Sequence, residues 1–228
     1  MKRQIVFYSE LSYVLGVLAL ALGTALMERA DFGVSMVVAP AYLLYLKLSQ
    51  TFPFFTFGMA EYTLQACLLA ALCLVLRRFR PSYLFSFITA VVYGFTLDGC
   101  MALAALLPAH GMAARLVCYA AGMLVCAVGV SLLFHTYIAP EVYELFVKEL
   151  AAKTGADVHR VKTAYDCVSC AVGVALSFAF FGLWHFEGVK LGTVFCALVN
   201  GSLIGVCTRV LEARFVFRDA LPLKNWFT

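Results

Sequence analysis

Charge is what this sequence has least of. Asp, Glu, Lys and Arg make up 13% of its 228 residues, whereas soluble domains carry about 25%. Hydrophobic residues make up 64%, and the mean hydropathy is +0.93. A chain this poor in charge cannot clothe a water-facing surface, which excludes an ordinary soluble domain. A transmembrane helix uses about 20 residues, so the length accommodates about six spans, short loops and one membrane domain over residues 1–228.

Other absences narrow the chemistry. The four histidines (His110, His135, His159, His185) fall in four different segments without the paired spacing of a zinc site, so no metal centre is expected. There is no phosphate-binding glycine loop and no hydrolase elbow, and neither a cofactor nor an enzymatic activity is expected. None of the nine cysteines lies in a hydrophilic loop of the kind that staples secreted domains. Cys167-Val-Ser-Cys170 is a C-x-x-C whose sulfurs share a helix face. It falls at the expected reducing side with no second pair to exchange electrons, so a thiol oxidoreductase is not indicated. The net charge of +4 is spread over membrane-flanking loops rather than gathered in one patch, which excludes nucleic acid as a partner.

What is present is a series of apolar runs predicting helices at 11–28, 57–76, 82–107, 113–136, 162–183 and 189–211. With the N-terminus cytoplasmic, all but four of the 17 Lys and Arg residues fall on the inner side. The outer four are Arg29, Lys47, Arg115 and Lys190. The positive-inside rule therefore predicts both termini inside. The first run follows Lys2 and Arg3 like a signal peptide, but it passes without a small-x-small cleavage site into Glu28 and Arg29, so it reads as a retained helix.

The sequence also repeats. GVLALALGTAL (16–26) matches GMLVCAVGVSL (122–132), pairing Gly16 with Gly122 and Gly23 with Gly129 at a separation of 106. Ala39-Pro40 matches Ala139-Pro140 at 100, Tyr62 matches Tyr165 at 103, and Gly94 matches Gly201 at 107. The near-constant spacing in unbroken order points to two halves, about 9–108 and 113–211, followed by a cytoplasmic interfacial tail at 212–228.

Each half has three spans, an odd number, so the second enters the membrane from the opposite side. Inverted repeats of this kind are a plan of secondary transporters, with the site near the midplane between halves. The expected fold is therefore an all-α integral membrane protein, six transmembrane helices as two inverted three-helix repeats. Each repeat carries a short proline-led helix, re-entrant or amphipathic. Pro40 and Pro140 mark equivalent helix breaks, with Gly94 and Gly201 as further breaking positions. Val142, Leu145, Phe146 and Leu150 share an apolar face, which predicts a helix lying along the cytoplasmic surface. Around Pro40 almost no polar face exists, which predicts a re-entrant or membrane-buried segment.

The run ADFGVSMVVAPAYLLYLKL, followed by FFTFGMAEYTLQACLLAALCLVLRRFR and SYLFSFITAVVYGFTLD, resembles the YczE/YitT-like family of bacterial membrane proteins, a group largely of unknown function. The resemblance covers most of the chain and is most specific across residues 30–98. It implies a six-helix bacterial inner-membrane protein and brings no established catalytic residues.

An ionisable residue at the bilayer centre costs about 2.5–3.5 kcal/mol or more, so each one is a candidate site. Asp98 has largely apolar sequence on both sides, with Tyr93, Gly94, Thr96 and Gly99 near it. It reads as a proton or cation ligand, or as the cap of a broken helix. Glu61 and Gln65 share a helix face with Tyr62 beside them, although Glu61 at the outer interface would simply be solvated. Asp166 beside Tyr165 also reads as a first-turn acid complementing the helix dipole. Asn200 matches Tyr93 by the repeat and reads as an interhelical hydrogen-bonder or a ligand. Glu28, Arg29 and Asp31 form an interfacial ion cluster or an outer gate, and His135 reads as a cap. In the tail, Arg209, Arg214, Arg218, Phe215, Phe217 and Trp226 suit the inner lipid interface.

The leading expectation is a small secondary transporter of a cationic or proton-coupled solute, with Asp98, Asn200 and Glu61 at its site. The alternative is a substrate-binding or interaction subunit, scaffold or regulatory, working with a partner such as an ATPase module through the small-residue face Ala21-x-x-x-Ala25. The expected partners are bilayer lipid and a small molecule or ion, and the sequence allows a homo-oligomer.

Overall fold

The computed structural model describes residues 5–108, 111–156, 158–182 and 188–221, without the side chains of Ile5, Val158, His159 and Thr163. Lys2, Arg3, His110, His185, Lys224 and Trp226, invoked above, lie outside the described residues. The elements run β1 (Ile5–Tyr8), α1 (Ser9–Ala30), α2 (Ala39–Leu48), α3 (Phe57–Leu76), α4 (Ser82–Ala105), α5 (Met112–Leu133), α6 (Val142–Thr154), α7 (Val158–Phe181), α8 (Leu191–Arg214) and β2 (Phe215–Arg218). Six of them, α1, α3, α4, α5, α7 and α8, are long and apolar enough to cross a membrane, and the chain is a multi-pass membrane protein.

Local chemistry sets the helix ends. Thr56 accepts the Met59 N–H at 3.1 Å and caps α3. Asp31 and Arg77 terminate α1 and α3 in the left-handed region, at φ 57° and 52°. Pro40 sits in the first turn of α2, where its missing N–H costs nothing.

The bundle is organised on an antiparallel contact between α1 and α5. Gly16, Gly23, Gly122 and Gly129 remove side chains from this seam, and the two backbones meet. A Cβ on Gly23 would lie 2.7 Å from the Gly122 carbonyl oxygen, and one on Gly129 would lie 2.9 Å from that of Gly16. α4 packs beside α1, and α8 beside α5. α2 rests on α3 and α7, while α6 rests on α3, α4 and α7.

Three sequence expectations change here. First, α4 and α8 run unbroken through Gly94 and Gly201. Gly94 serves a close approach instead: a Cβ on Gly58 would lie 2.1 Å from its carbonyl oxygen, so α3 and α4 touch through backbone. Around Gly201 there is open space.

Second, α6 does not lie on a surface. Its buried residues are Val142, Tyr143, Val147 and Ala151, and its first turn enters the bundle. The Ala139 carbonyl just ahead of it accepts the Thr89 hydroxyl of α4 at 3.0 Å. Packing on three helices covers a face that the pattern alone assigns to lipid or water.

Third, the first residues after α8 form a strand that the apolar pattern does not show. β2 lies parallel to β1, with Ile5 opposite Phe215 and Tyr8 opposite Arg218. Phe7 packs edge-on against Phe215 and Phe217, at 5.3 and 5.7 Å between centroids. Glu10 then accepts the Ala220 and Leu221 N–H groups and the Tyr137 hydroxyl. The start of α1 and the end of α8 therefore share one end of the bundle.

Candidate functional site

The candidate site grows from the entry of α6 into the bundle. A helix begins with backbone N–H groups that lack intrahelical partners, and inside a membrane protein no bulk water is there to take them. Gln65 of α3 meets one of them: its Oε1 accepts the Val142 N–H at 3.0 Å. The Gln65 amide nitrogen in turn donates to Glu141 Oε2 at 3.4 Å. One turn earlier on α3, Glu61 Oε2 accepts the Tyr143 hydroxyl at 2.8 Å. Glu61 and Gln65 are fully buried, and Glu141 and Tyr143 nearly so. The polar edge of α3 and the first turn of α6 thus form one buried cluster.

Aromatic and hydroxyl groups close it in. Tyr93, buried midway along α4, shares a hydrogen bond with Thr24 of α1 at 3.1 Å. Tyr13 of α1 donates to Thr89 at 3.1 Å. Tyr165 of α7 packs its ring at 6.4 Å from Tyr143 and 5.8 Å from Phe146.

Two atoms of the cluster stand out. Glu61 Oε1 and Glu141 Oε1 are buried and have no hydrogen-bond partner among the described residues. Leaving such an acceptor unsatisfied costs about 1–3 kcal/mol, more when it is charged, so the pair calls for a ligand or a proton. Glu141 lies in the segment between spans. Its burial, and then the carboxylates Glu61 and Glu144, push its carboxyl well above the usual range.

The other sequence candidates are distributed elsewhere. Asp98 caps an intact helix, not a broken one. Its Oδ2 accepts the Thr56 hydroxyl at 2.7 Å and its Oδ1 the Gly58 N–H at 2.8 Å, both at the start of α3. Asp98 also lines a cleft of about 240 Å³ with Tyr45, Phe55, Phe57 and Met101. Tyr62 lies over Phe95, 6.2 Å between ring centroids. Asp166 pairs with Lys162 one turn away at 3.3 Å. Asn200 is on α8, which packs on α5, and its Oδ1 is buried without a partner among the described residues.

Asp31 ties together three elements: it pairs with Arg115 at 2.9 Å and with Lys190, at the end of the bundle where α5 and α8 start. Glu28 there accepts the Tyr42 hydroxyl at 3.3 Å. His135 bonds the Ser131 carbonyl at 2.7 Å and stacks on Phe217 at 4.1 Å. Cys167 is exposed and Cys170 half-buried, both as free thiols.

Sequence reasoning missed Glu141 and Tyr143. At the Ala39-Pro40 separation of 100, Glu141 falls opposite Ala41 and Tyr143 opposite Leu43, and the structure buries both of those fully in α2.

A family model described as "Family of unknown function (DUF6198)" matches residues 7–209, and the chain belongs to that family. No curated protein and no solved structure matches it.

Proposed function

We propose that this protein is a small secondary transporter, moving a small solute that is cationic or coupled to protons, by motion of two inverted three-helix halves about a site at mid-bundle. The carrying observation is the first turn of α6, which ends inside the bundle against the buried Glu61, Gln65 and Glu141. Interrupted helices that present their N-termini to a polar site between repeats are what such carriers use.

The matched geometry of the halves supports the reading. Under the repeat, Gly16 corresponds to Gly122 and Gly23 to Gly129, and the contacts run Gly16 to Gly129 and Gly23 to Gly122. Reciprocal contacts of this form are those of a two-fold axis. Between antiparallel helices such an axis lies in the membrane plane. The α2–α7 and α3–α6 contacts are likewise exchanged by that operation. They differ in chemistry: Ala39, Leu43 and Val174 make the first apolar, while two carboxylates occupy the second. The sequence likeness to YczE/YitT-like proteins and the charge bias support an inner-membrane setting with both termini cytoplasmic.

The test is solute accumulation in proteoliposomes under an imposed pH gradient, across a panel of small cations and amines, with Glu61→Gln in parallel. Gradient-driven uptake by the wild type that Glu61→Gln abolishes supports the reading. Absence of any proton or solute flux overturns it.

One observation favours the second reading, an interaction subunit. Only 11% of the α7 and α8 spans is buried, against 50% of α5, and Leu191 and Leu198 of α8 are 89% and 77% exposed. Co-purification of a stoichiometric membrane partner that shields these leucines would select it.

A further inference from the structure

We infer that Glu61 and Glu141, gathered around Gln65 and Tyr143 with one unpartnered carboxyl oxygen each, form a proton-binding pair that holds one proton at neutral pH. This deepens the transporter reading, since it would be the site through which that reading couples to protons, but its evidence and its test are separate from transport.

Each carboxyl has one oxygen already served, Glu61 Oε2 by the Tyr143 hydroxyl and Glu141 Oε2 by the Gln65 amide. Each has one oxygen, Oε1, buried and unserved among the described residues. Two ionised carboxylates in such a place would leave two desolvated charges and two orphan acceptors. Protonating one carboxyl turns its free oxygen into a donor and removes one of the charges. Like charges sharing a site resist ionising together, so the pair keeps one proton where an isolated surface carboxylate would keep none.

The surroundings contain the right kind of neighbours. The titratable groups facing the pair are Tyr13 of α1, Tyr93 of α4, Tyr143 and Glu144 of α6, and Tyr165 of α7. All but Glu144 are phenols, and Glu144 interacts with the charges of Lys148 and Lys162. No Lys or Arg hydrogen-bonds either carboxyl among the described residues. A divalent cation takes six or more oxygens, and the unserved oxygens number two. The upward push on Glu141 from burial and from Glu61 agrees with this.

The exchange balances simply. Uptake forms one O–H bond on a carboxylate oxygen, with the proton drawn from water on the side to which the site is open. Release breaks that bond and returns the proton to water on the other side. Because α3 carries Glu61 and Glu141 immediately precedes α6, relative movement of these helices changes the separation of the two charges and hence the hold on the proton.

The experiment is infrared spectroscopy of the full chain in nanodiscs, titrated through the neutral and alkaline range. The expected result is a protonated-carboxyl stretch at neutral pH that shifts in D₂O and disappears on the alkaline side. It should be absent from the Glu61→Gln/Glu141→Gln double variant. If that variant does not fold, Tyr143→Phe serves: it removes the donor to Glu61, and the band must shift in frequency. A band unaltered by these substitutions, or no band at neutral pH, overturns the proposal. So does a rise in thermal midpoint with sodium or potassium alone, seen in the wild type without a carboxyl band, which would assign the pair to an alkali cation. A proton-binding pair found without gradient-driven flux would leave this inference standing while the transporter reading fails.

Discussion

Gly23 and Gly122 meet backbone to backbone where α1 crosses α5: a Cβ on the first would lie 2.7 Å from the carbonyl oxygen of the second, and the reverse distance is 2.8 Å. Neither neighbour is a flexible side-chain tip, so the helices themselves must separate to admit a methyl group. Gly23→Ala and Gly122→Ala should each destabilise the protein by about 1–3 kcal/mol. The double variant should cost less than the sum, because one separation accommodates both methyls. Unfolding in detergent reads this directly. Gly201→Ala, with open space around it, is the control and should have little effect.

Asp98 serves the start of α3, and its replacement should act on stability. Asp98→Ala strips the acceptor from the Thr56 hydroxyl and the Gly58 N–H, at a cost of about 1–2 kcal/mol. Asp98→Asn, which retains one acceptor oxygen, should cost less than Asp98→Ala. Thermal midpoints in the presence and absence of small amines check this. Loss of amine-induced stabilisation in Asp98→Asn, with the midpoint itself unchanged, would assign Asp98 to the solute instead.

The pH dependence follows from Glu141, whose folded carboxyl is held above its ordinary value chiefly by burial. A folded pKa above the unfolded one means the folded state binds the proton more tightly. The stabilisation is therefore complete on the acid side, below the unfolded value, and is lost as pH rises through the folded value. The thermal midpoint of the wild type should fall from mildly acid to alkaline pH more steeply than that of Glu141→Gln. Parallel profiles for the two proteins would contradict the assignment.

Asp31 faces Arg115 and Lys190 from a left-handed backbone position, φ 57°. Asparagine tolerates that conformation, so Asp31→Asn isolates the charge. Each half-exposed pair is worth about 0–1 kcal/mol. Stability should drop by at most about 2 kcal/mol, and the difference from wild type should shrink at high salt. A transport assay that responds far more than stability does would make this cluster a gate.

The helices themselves were legible because crossing a bilayer demands about 20 apolar residues in a row, a requirement that leaves a mark at every position. The span at 57–76 and the start at 82 agree with α3 and α4 for that reason. The glycine spacing of 106 between Gly16 and Gly122 was legible too, and the fold shows its use, since both glycines lie on one seam. Glu61 and Gln65 announced themselves as one polar face on an apolar helix.

What crosses that face was decided in three dimensions. Glu141 stands in a hydrophilic stretch, where charge next to charge reads as a solvated surface. Only the descent of α6 into the bundle buries it against Gln65. Asp98, conspicuous in sequence for its apolar surroundings, turned out to serve the start of α3, 40 residues away along the chain, with its Gly58 bond. Likewise the pairing of β1 with β2 joins segments about 210 residues apart, and no local pattern encodes it. Sequence by itself determined that this chain lives in a membrane, with six spans, because hydrophobicity accumulates residue by residue along the chain. The tertiary structure alone decided which carboxylates meet, because hydrogen bonds and burial depend on which helices cross and at what depth.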